Sequence, residues 1–229
     1  IGRGLDTVAA REAKALEQLR FQLLTGWYPA SPPGKQLPEL HNGAIHESAS
    51  LTTVFSDGCW QQTRHHYRLL ALFDEVDYYA ITSLFPAPPM PHGNWRTTTQ
   101  PIEGGYEHRF FLPEPLRRGQ SYDLAFTLAP NTPEVADYAQ PRCIWEECLA
   151  FHERTLQARF EAIFIGEKPQ QIWQFSGLTH LQRPGQPTNQ NQLDLTTSSA
   201  VQAHFTDLYG GLFAGLAWEW SSPPLIRTN

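Results

Sequence analysis

Short runs of alternating apolar and polar residues, separated by turn-forming residues, make up most of the chain from about residue 48 onward. The run LQARFEAIF at 156–164 places its apolar side chains on one face and its polar side chains on the other, which is the pattern of a strand with one buried face. About ten such runs, with turns every eight to twelve residues, are typical of sandwiches and not of alternating β and α units. We therefore predict a mainly β chain, an antiparallel two-layer β-sandwich of the immunoglobulin-like or jelly-roll-like kind.

One segment has helical spacing instead. Residues 6–24, DTVAAREAKALEQLRFQLL, repeat apolar residues every three or four positions behind an N-cap candidate at Asp6 or Thr7, as an amphipathic helix does. The sequence contains no second helical pattern that could bury the apolar stripe of this helix, so we expect the helix to mediate self-association in a homodimer. The residues of the stripe are Leu16, Leu19 and Leu23.

These patterns divide the chain into four segments. They are an N-terminal helix acting as a connector or dimerisation element (1–28), a Pro-rich linker (29–47), the β-sandwich (48–220) and a C-terminal tail (221–229). The chain begins at Ile1 and its single Met is Met90. We therefore expect further sequence upstream of it in the protein.

Two features of the sandwich segment can be placed more closely. Asp57-Gly58 predicts a hairpin turn between LTTVF (51–55) and the run at 59–73. Three final strands are predicted at LDLTT (193–197), VQAHFT (201–206) and LFAGLAWEW (212–220). In the last of them Trp218 and Trp220 share a face and are expected in the core, whereas Gly215 on the other face indicates a bulge or a close backbone approach.

Charge and hydropathy exclude two classes of function for the chain itself. Lys and Arg total 17 against 23 Asp and Glu, a net charge of −6, which argues against direct DNA or RNA binding because phosphate recognition needs clustered cations. No apolar run is long enough to span a membrane. The odd number of Cys, three, favours a reducing compartment, so a cytoplasmic location is expected.

Catalytic signatures are missing from the sequence: it has no G-x-S-x-G, no phosphate-binding G-x-x-x-x-G-K-[ST], no H-E-x-x-H and no G-x-G-x-x-G. His41, His46 and Glu47 are the candidate metal ligands, since they could supply nitrogen and oxygen donors from one loop. The alternative is that they are solvated loop residues, and we predict no catalytic residue, no metal and no cofactor. His65 and His66 are neighbours on one predicted strand and must point to opposite faces. Cys143 and Cys148 are expected to be small core or boundary thiols.

Four stretches of the sandwich segment carry a resemblance to a known family: FSDGCWQQTRHHYRLLAL, LPEPLRRGQSYDLAFTL, FHERTLQARFEAIFIGEKPQQIWQF and HFTDLYGGLFAGLAWEW. In strand pattern and turn residues they resemble the C-terminal β-rich domain of actinobacterial helix-turn-helix transcriptional regulators. The resemblance runs from about residue 54 to the end and includes no diagnostic catalytic residue. It implies that DNA is bound by a separate upstream domain and not by this chain.

Together these observations predict a non-enzymatic sensory or protein-interaction domain of a transcriptional regulator, with a small molecule or a protein as its partner. Two alternatives stay open at this point. One is a metal-dependent enzyme on a cupin-like double-sheet barrel, with inward-facing His and Glu holding the metal. The other is a purely structural domain that binds a partner through a sheet face or the N-terminal helix.

Overall fold

The structure is a computed structural model, and it consists mainly of β-strands. Helical backbone occupies residues 10–17 and 19. The strands are β1 (Ala44–Ser56), β2 (Cys59–Ala71), β3 (Val76–Ser83), β4 (Met90–Pro91), β5 (Arg96–Ile102), β6 (Gly105–Leu116), β7 (Ser121–Leu128), β8 (Ile144–Phe151), β9 (Thr155–Ile165), β10 (Gln171–Leu178), β11 (Ala200–Leu208) and β12 (Leu212–Glu219). The structure describes residues 10–17, 19, 43–83, 89–93, 95–102, 105–130, 143–151 and 154–221.

The strands form three sheets in two layers. The large sheet has the order β11-β9-β1-β2-β7-β4, and the two small sheets have the orders β10-β12-β8 and β3-β6-β5. Residues of both small sheets join the inner face of the large sheet in one hydrophobic core. The predicted class, a β-sandwich preceded by one helix, is confirmed, with the second layer built from two sheets.

Aromatic rings fill the space between the layers. On the β12 side, Phe55 of the large sheet meets Trp145 and Trp218 edge to face, at centroid distances of 5.1 and 5.0 Å. On the β6 side, Phe126 stacks on Phe110 at 4.8 Å. Each of these residues is buried and belongs to the inward-facing set of its strand's alternating pattern.

The Trp-rich last strand lies in the core, as predicted. Trp218 is 0% exposed and Trp220 is 3% exposed, and both contact Phe164. Gly215 faces the other way, where a Cβ would overlap the carbonyl oxygen of Glu147 and lie 2.7 Å from the Cα of Cys148. Gly215 therefore marks a close approach of two backbones, and no bulge occurs at this position.

The Asp57-Gly58 turn also forms as predicted. Both residues have positive φ, 47° and 77°, which is the backbone that a two-residue hairpin turn needs to match the twist of its strands. The turn joins β1 to β2, which pair antiparallel from Ala44 and Ala71 to Ser56 and Cys59.

Several details differ from the sequence prediction. β1 pairs with β9 in parallel, so the sandwich is not antiparallel throughout. The chain passes through the second layer between these two strands. The alternation of apolar and polar residues does not reveal whether two paired strands run parallel or antiparallel. β1 begins at Ala44, inside the predicted linker, and β4 and β5 were not predicted. LDLTT is not a strand: Leu193 and Leu195 pack against the core from an irregular segment, and the Leu193 amide donates to the Ile172 carbonyl at 2.9 Å.

The N-terminal helix presents exposed leucines. Leu16 is 59% exposed and Leu19 is 50% exposed, whereas Leu23 lies outside the described residues. No helix in the described part of the chain is long and apolar enough to cross a membrane.

Candidate functional site

The candidate metal ligands are not brought together. His41 lies outside the described residues, and His46 and Glu47, neighbours on β1, bond to different partners. The two ring nitrogens of His46 form buried hydrogen bonds, at 2.9 Å to the Thr155 hydroxyl and at 2.7 Å to the Tyr79 hydroxyl. Across the described residues, no group of three or more His, Cys, Asp or Glu has the arrangement of a metal site.

Glu47 has a structural role on the outer side of the large sheet. Its carboxylate accepts a hydrogen bond from the Nε of Arg68 at 3.0 Å and from the Ser121 hydroxyl at 2.6 Å. These contacts link β1, β2 and β7 across the sheet. Exposed ion pairs contribute little to stability. We therefore interpret these contacts of Glu47 as links between neighbouring strands and not as part of a catalytic or metal site.

The cysteines are free thiols. Cys143 is exposed and precedes β8, whereas Cys148 lies on β8, where the Nη1 of Arg183 donates to its sulfur at 3.1 Å. Burial, followed by the nearby Glu146 carboxylate, raises the pKa of the Cys148 thiol to about 12. A thiol with so high a pKa is a poor nucleophile, and the prediction of boundary thiols fits both positions.

A set of polar side chains lies between the two layers, and we call it the interior polar cluster. It comprises Thr53 of β1, Thr63, His65 and Tyr67 of β2, and Glu147 of β8. Thr53, Thr63, His65 and Tyr67 are each less than 7% exposed. Buried polar groups are costly unless each is matched by a partner, so the contacts of this cluster decide what it can do.

Glu147 is held by two hydroxyl groups. Its Oε2 atom accepts hydrogen bonds from Thr53 at 2.6 Å and from Thr63 at 2.9 Å, and Thr63 also accepts from the indole Nε1 of Trp60 at 3.0 Å. Burial raises the pKa of the Glu147 carboxyl, the two threonine bonds oppose that rise, and the neighbouring Glu146 adds to it. The net effect favours the protonated acid.

Glu147 lies at the edge of its sheet. β8 is an edge strand that pairs only with β12 among the described strands. The residue as a whole keeps partial exposure, whereas its carboxyl is enclosed and bonds inward to Thr53 and Thr63.

His65 and Tyr67 form the second part of the cluster. The His65 Nδ1 and the Tyr67 hydroxyl lie 2.7 Å apart, and the His65 ring stacks on Phe126 with a centroid distance of 4.5 Å. The other ring nitrogen, Nε2, is buried and has no hydrogen-bond partner. A buried polar atom without a partner costs about 1–3 kcal/mol, so a group that bonded to Nε2 would recover part of that free energy.

Both residues keep their protons fixed near neutral pH. Burial lowers the pKa of His65 to about 3, so the imidazole is neutral. Burial, together with the Glu147 carboxyl, raises the pKa of Tyr67 far above its ordinary value. The pair therefore suits recognition by hydrogen bonds better than proton transfer.

Sequence reasoning missed Glu147, although a signal was present. Trp145, Glu147, Leu149 and Phe151 share one face of the predicted strand CIWEECLAF, so a single carboxyl interrupts an apolar face. His65 was correctly separated from His66: the former is buried and the latter exposed. Its contact with Tyr67 on the same face could not be read from spacing alone.

No protein-family model matches the chain, and no curated protein sequence matches it. Among solved structures, an M1 zinc metallopeptidase from Deinococcus radiodurans is similar with a TM-score of 0.38 and 11% identity, over 85% of this chain and 45% of that chain. A two-domain M1 zinc metallopeptidase bound to L-arginine has a TM-score of 0.35 and 12% identity, over 83% of this chain and 45% of that chain. The chain thus spans less than half the length of either peptidase, and both scores are too low to indicate a shared fold.

Proposed function

We propose that this chain is the non-enzymatic sensory domain of a transcriptional regulator and that it binds a small molecule at the interior polar cluster. The observation that carries the proposal is the unmatched bonding capacity inside the sandwich. The buried Nε2 of His65 has no partner, and Glu147 of β8 bonds to Thr63, two residues before His65 on β2. Concave sites with a few convergent polar groups in apolar surroundings are the usual form of small-molecule sites.

Binding is favoured over catalysis by the protonation states of the cluster. His65 stays neutral and Tyr67 stays protonated near neutral pH, so neither exchanges a proton readily there. The Cys148 thiol is likewise held in its unreactive form. The metal-dependent alternative would need His46 and Glu47 to converge, whereas His46 bonds to the Thr155 and Tyr79 hydroxyls and Glu47 bonds to Arg68 and Ser121.

The regulator part of the proposal rests on the sequence resemblance and on charge. A chain with a net charge of −6 is unsuited to hold DNA, and we place DNA binding in a separate upstream domain. The proposed location is the cytoplasm, where such a regulator works. Exposed Leu16 and Leu19 favour a second role for the N-terminal helix in binding a protein, first of all another copy of the chain.

A stability screen tests the sensory role. Thermal melts of the purified chain in a small-molecule library should identify compounds that raise Tm, because a ligand that binds only the folded state stabilises it. The same compounds should not raise the Tm of His65→Leu, and they should still raise the Tm of His204→Leu, a control on an exposed position of β11. Hits that stabilise wild type and His65→Leu equally would contradict binding at the cluster.

A further inference from the structure

The chemistry around Glu147 points to one class of ligand. Among the described residues, no Lys, Arg or His forms an ion pair with Glu147, and its bonds come from two neutral hydroxyls. A buried carboxylate without a cation is strongly disfavoured. The carboxyl must therefore either keep a proton or acquire a positive partner.

The hydrogen bonds show how the resting site is satisfied. Thr53 Oγ1, Thr63 Oγ1 and Glu147 Oε2 are mutually in contact, at 3.0, 2.6 and 2.9 Å. Three oxygen–oxygen contacts need three hydrogens, and the two hydroxyls supply only two. When Glu147 is ionised, both hydroxyls donate to its Oε2 and the Thr53–Thr63 contact has no hydrogen of its own. When Glu147 carries a proton and donates it to one threonine, each of the three contacts has one hydrogen.

The surrounding charge selects against an anion. Glu146, the next residue on β8, adds a second carboxylate that further raises the pKa of Glu147. Arg183 pairs with Glu146 at 3.4 Å, and no described cation pairs with Glu147. An ionised Glu147 carboxylate would therefore attract a cation and repel an anion.

We propose that the interior polar cluster binds a small molecule with a protonated amine, which displaces the proton of Glu147. This inference rests on the sensory function proposed above and specifies the class of its ligand. The step is balanced: the carboxylic acid and the ammonium ligand give a carboxylate–ammonium pair, and one proton passes to solvent. Loss of the acid hydrogen leaves the threonine hydroxyls as donors to the carboxylate, and the ammonium N–H groups replace the hydrogen that left. The unpartnered Nε2 of His65 offers a bond to a second polar group of the same ligand.

Calorimetry with matched compounds tests the charge. The probes are small primary amines, each paired with the alcohol and the carboxylate of the same carbon skeleton, with benzylamine, benzyl alcohol and benzoate as the first set. We expect amines to bind the wild-type chain at least about tenfold more tightly than their alcohols, the usual effect of a charge-assisted bond. Glu147→Gln, which keeps size and hydrogen bonds, should abolish that preference, and Glu161→Gln on the outer face should retain it.

The proton count is a second measurement that needs no variant. Titrations in buffers of different ionisation enthalpy should show proton release on amine binding at the acid end of the pH range, declining as the pH rises through the raised pKa of Glu147. The other titratable groups around Glu147 do not account for the release: His65 is already neutral, Tyr67 keeps its proton, and Glu146 faces the other side of β8.

The outcomes separate this inference from the broader proposal. If no amine binds, the cationic ligand is excluded, and if amines bind without proton release at any pH, the displacement of a proton from Glu147 is excluded. If alcohols or carboxylates bind as well as the amines and lose affinity in His65→Leu, the interior site stands and the ligand class is wrong. If none of the three compound classes binds, both the ligand class and this use of the interior polar cluster are contradicted.

Discussion

At the scale of single residues, the interior of the sandwich contains both apolar side chains and a few polar ones. Trp218 is fully buried and contacts Phe55 and Phe164 edge to face. His65 and Glu147 are polar groups in the same interior, held by hydroxyls and by no described ion pair. Trp218 and His65 each keep one buried ring nitrogen without a hydrogen-bond partner, whereas Glu147 accepts two threonine bonds and has no cation beside it among the described residues.

Removal of the Trp218 side chain should destabilise the fold severely. Trp218→Ala leaves a large cavity among rings that cannot collapse onto it, at a cost of about 3–5 kcal/mol. Urea unfolding followed by circular dichroism measures this loss, with Leu181→Ala, at an 84% exposed position, as the control that should match wild type. A Trp218→Ala protein with native-like spectrum and midpoint would show that Trp218 does not support the core.

The buried imidazole of His65 should make the free energy of unfolding depend on pH in the acid range. The pKa of His65 is about 3 in the folded protein and about 6.5 in an unfolded chain, so below that higher value the unfolded state binds the extra proton. Stability is therefore complete above about pH 6.5 and falls by up to about 1.4 kcal/mol for each pH unit below it. Replacing His65 with Leu should flatten this part of the profile, as measured by urea midpoints at several pH values. Equal slopes for the two proteins would mean that His65 is accessible to protons when folded.

At the scale of strands, the contact between β8 and β12 leaves no room at Gly215. A Cβ there would overlap the backbone of Glu147 and Cys148, and backbone cannot move aside as the end of a side chain can. Gly215→Ala should thus cost about 1–3 kcal/mol or more. Gly119→Ala is the comparison, because nothing lies within 4 Å of its Cβ position and only its positive φ is strained. A Gly215→Ala protein as stable as wild type would show that these strands are farther apart.

The N-terminal helix is the element whose role stays a prediction. Its Leu16 and Leu19 are exposed, and Leu16→Glu with Leu19→Glu should weaken a homodimer by placing charges in an apolar contact. Light scattering over a concentration series measures the mass, and Arg11→Glu, at an exposed position of the same helix, makes a charge change without removing apolar surface. An unchanged mass in the double variant would exclude this helix as the dimer contact.

Strand existence was predictable from the sequence, whereas strand partners were not. Alternation in LQARFEAIF fixes which side chains of β9 face inward, but it is the same for a parallel or an antiparallel neighbour, so the parallel pairing with β1 could not be predicted. LDLTT shows the converse error. Leu193 and Leu195 alternate as in a strand, yet they pack on the core from an irregular segment whose backbone makes isolated bonds to Ile172 of β10 and Ala200 of β11 and no ladder.

At the scale of the whole molecule, the site forms where distant segments meet. Thr53 and Glu147 are 94 residues apart and Thr63 and Glu147 are 84 apart, so no local motif records their contact. The sequence could show a lone Glu on an apolar strand face and a buried His on another. Only the packing of β8 over β1 and β2 shows that the two belong to one cluster.

The nitrogen spectrum of the histidine rings tests the central claim, that a small molecule binds at the interior polar cluster, most directly. In ¹⁵N-labelled protein, His65 should be neutral at pH 7 with one ring nitrogen bonded to Tyr67. A compound from the stability screen should shift the other nitrogen, Nε2, as it acquires a hydrogen bond. A stabilising compound that leaves both His65 nitrogens unchanged, while it shifts exposed residues such as His66 or His204, would place binding elsewhere and contradict the account.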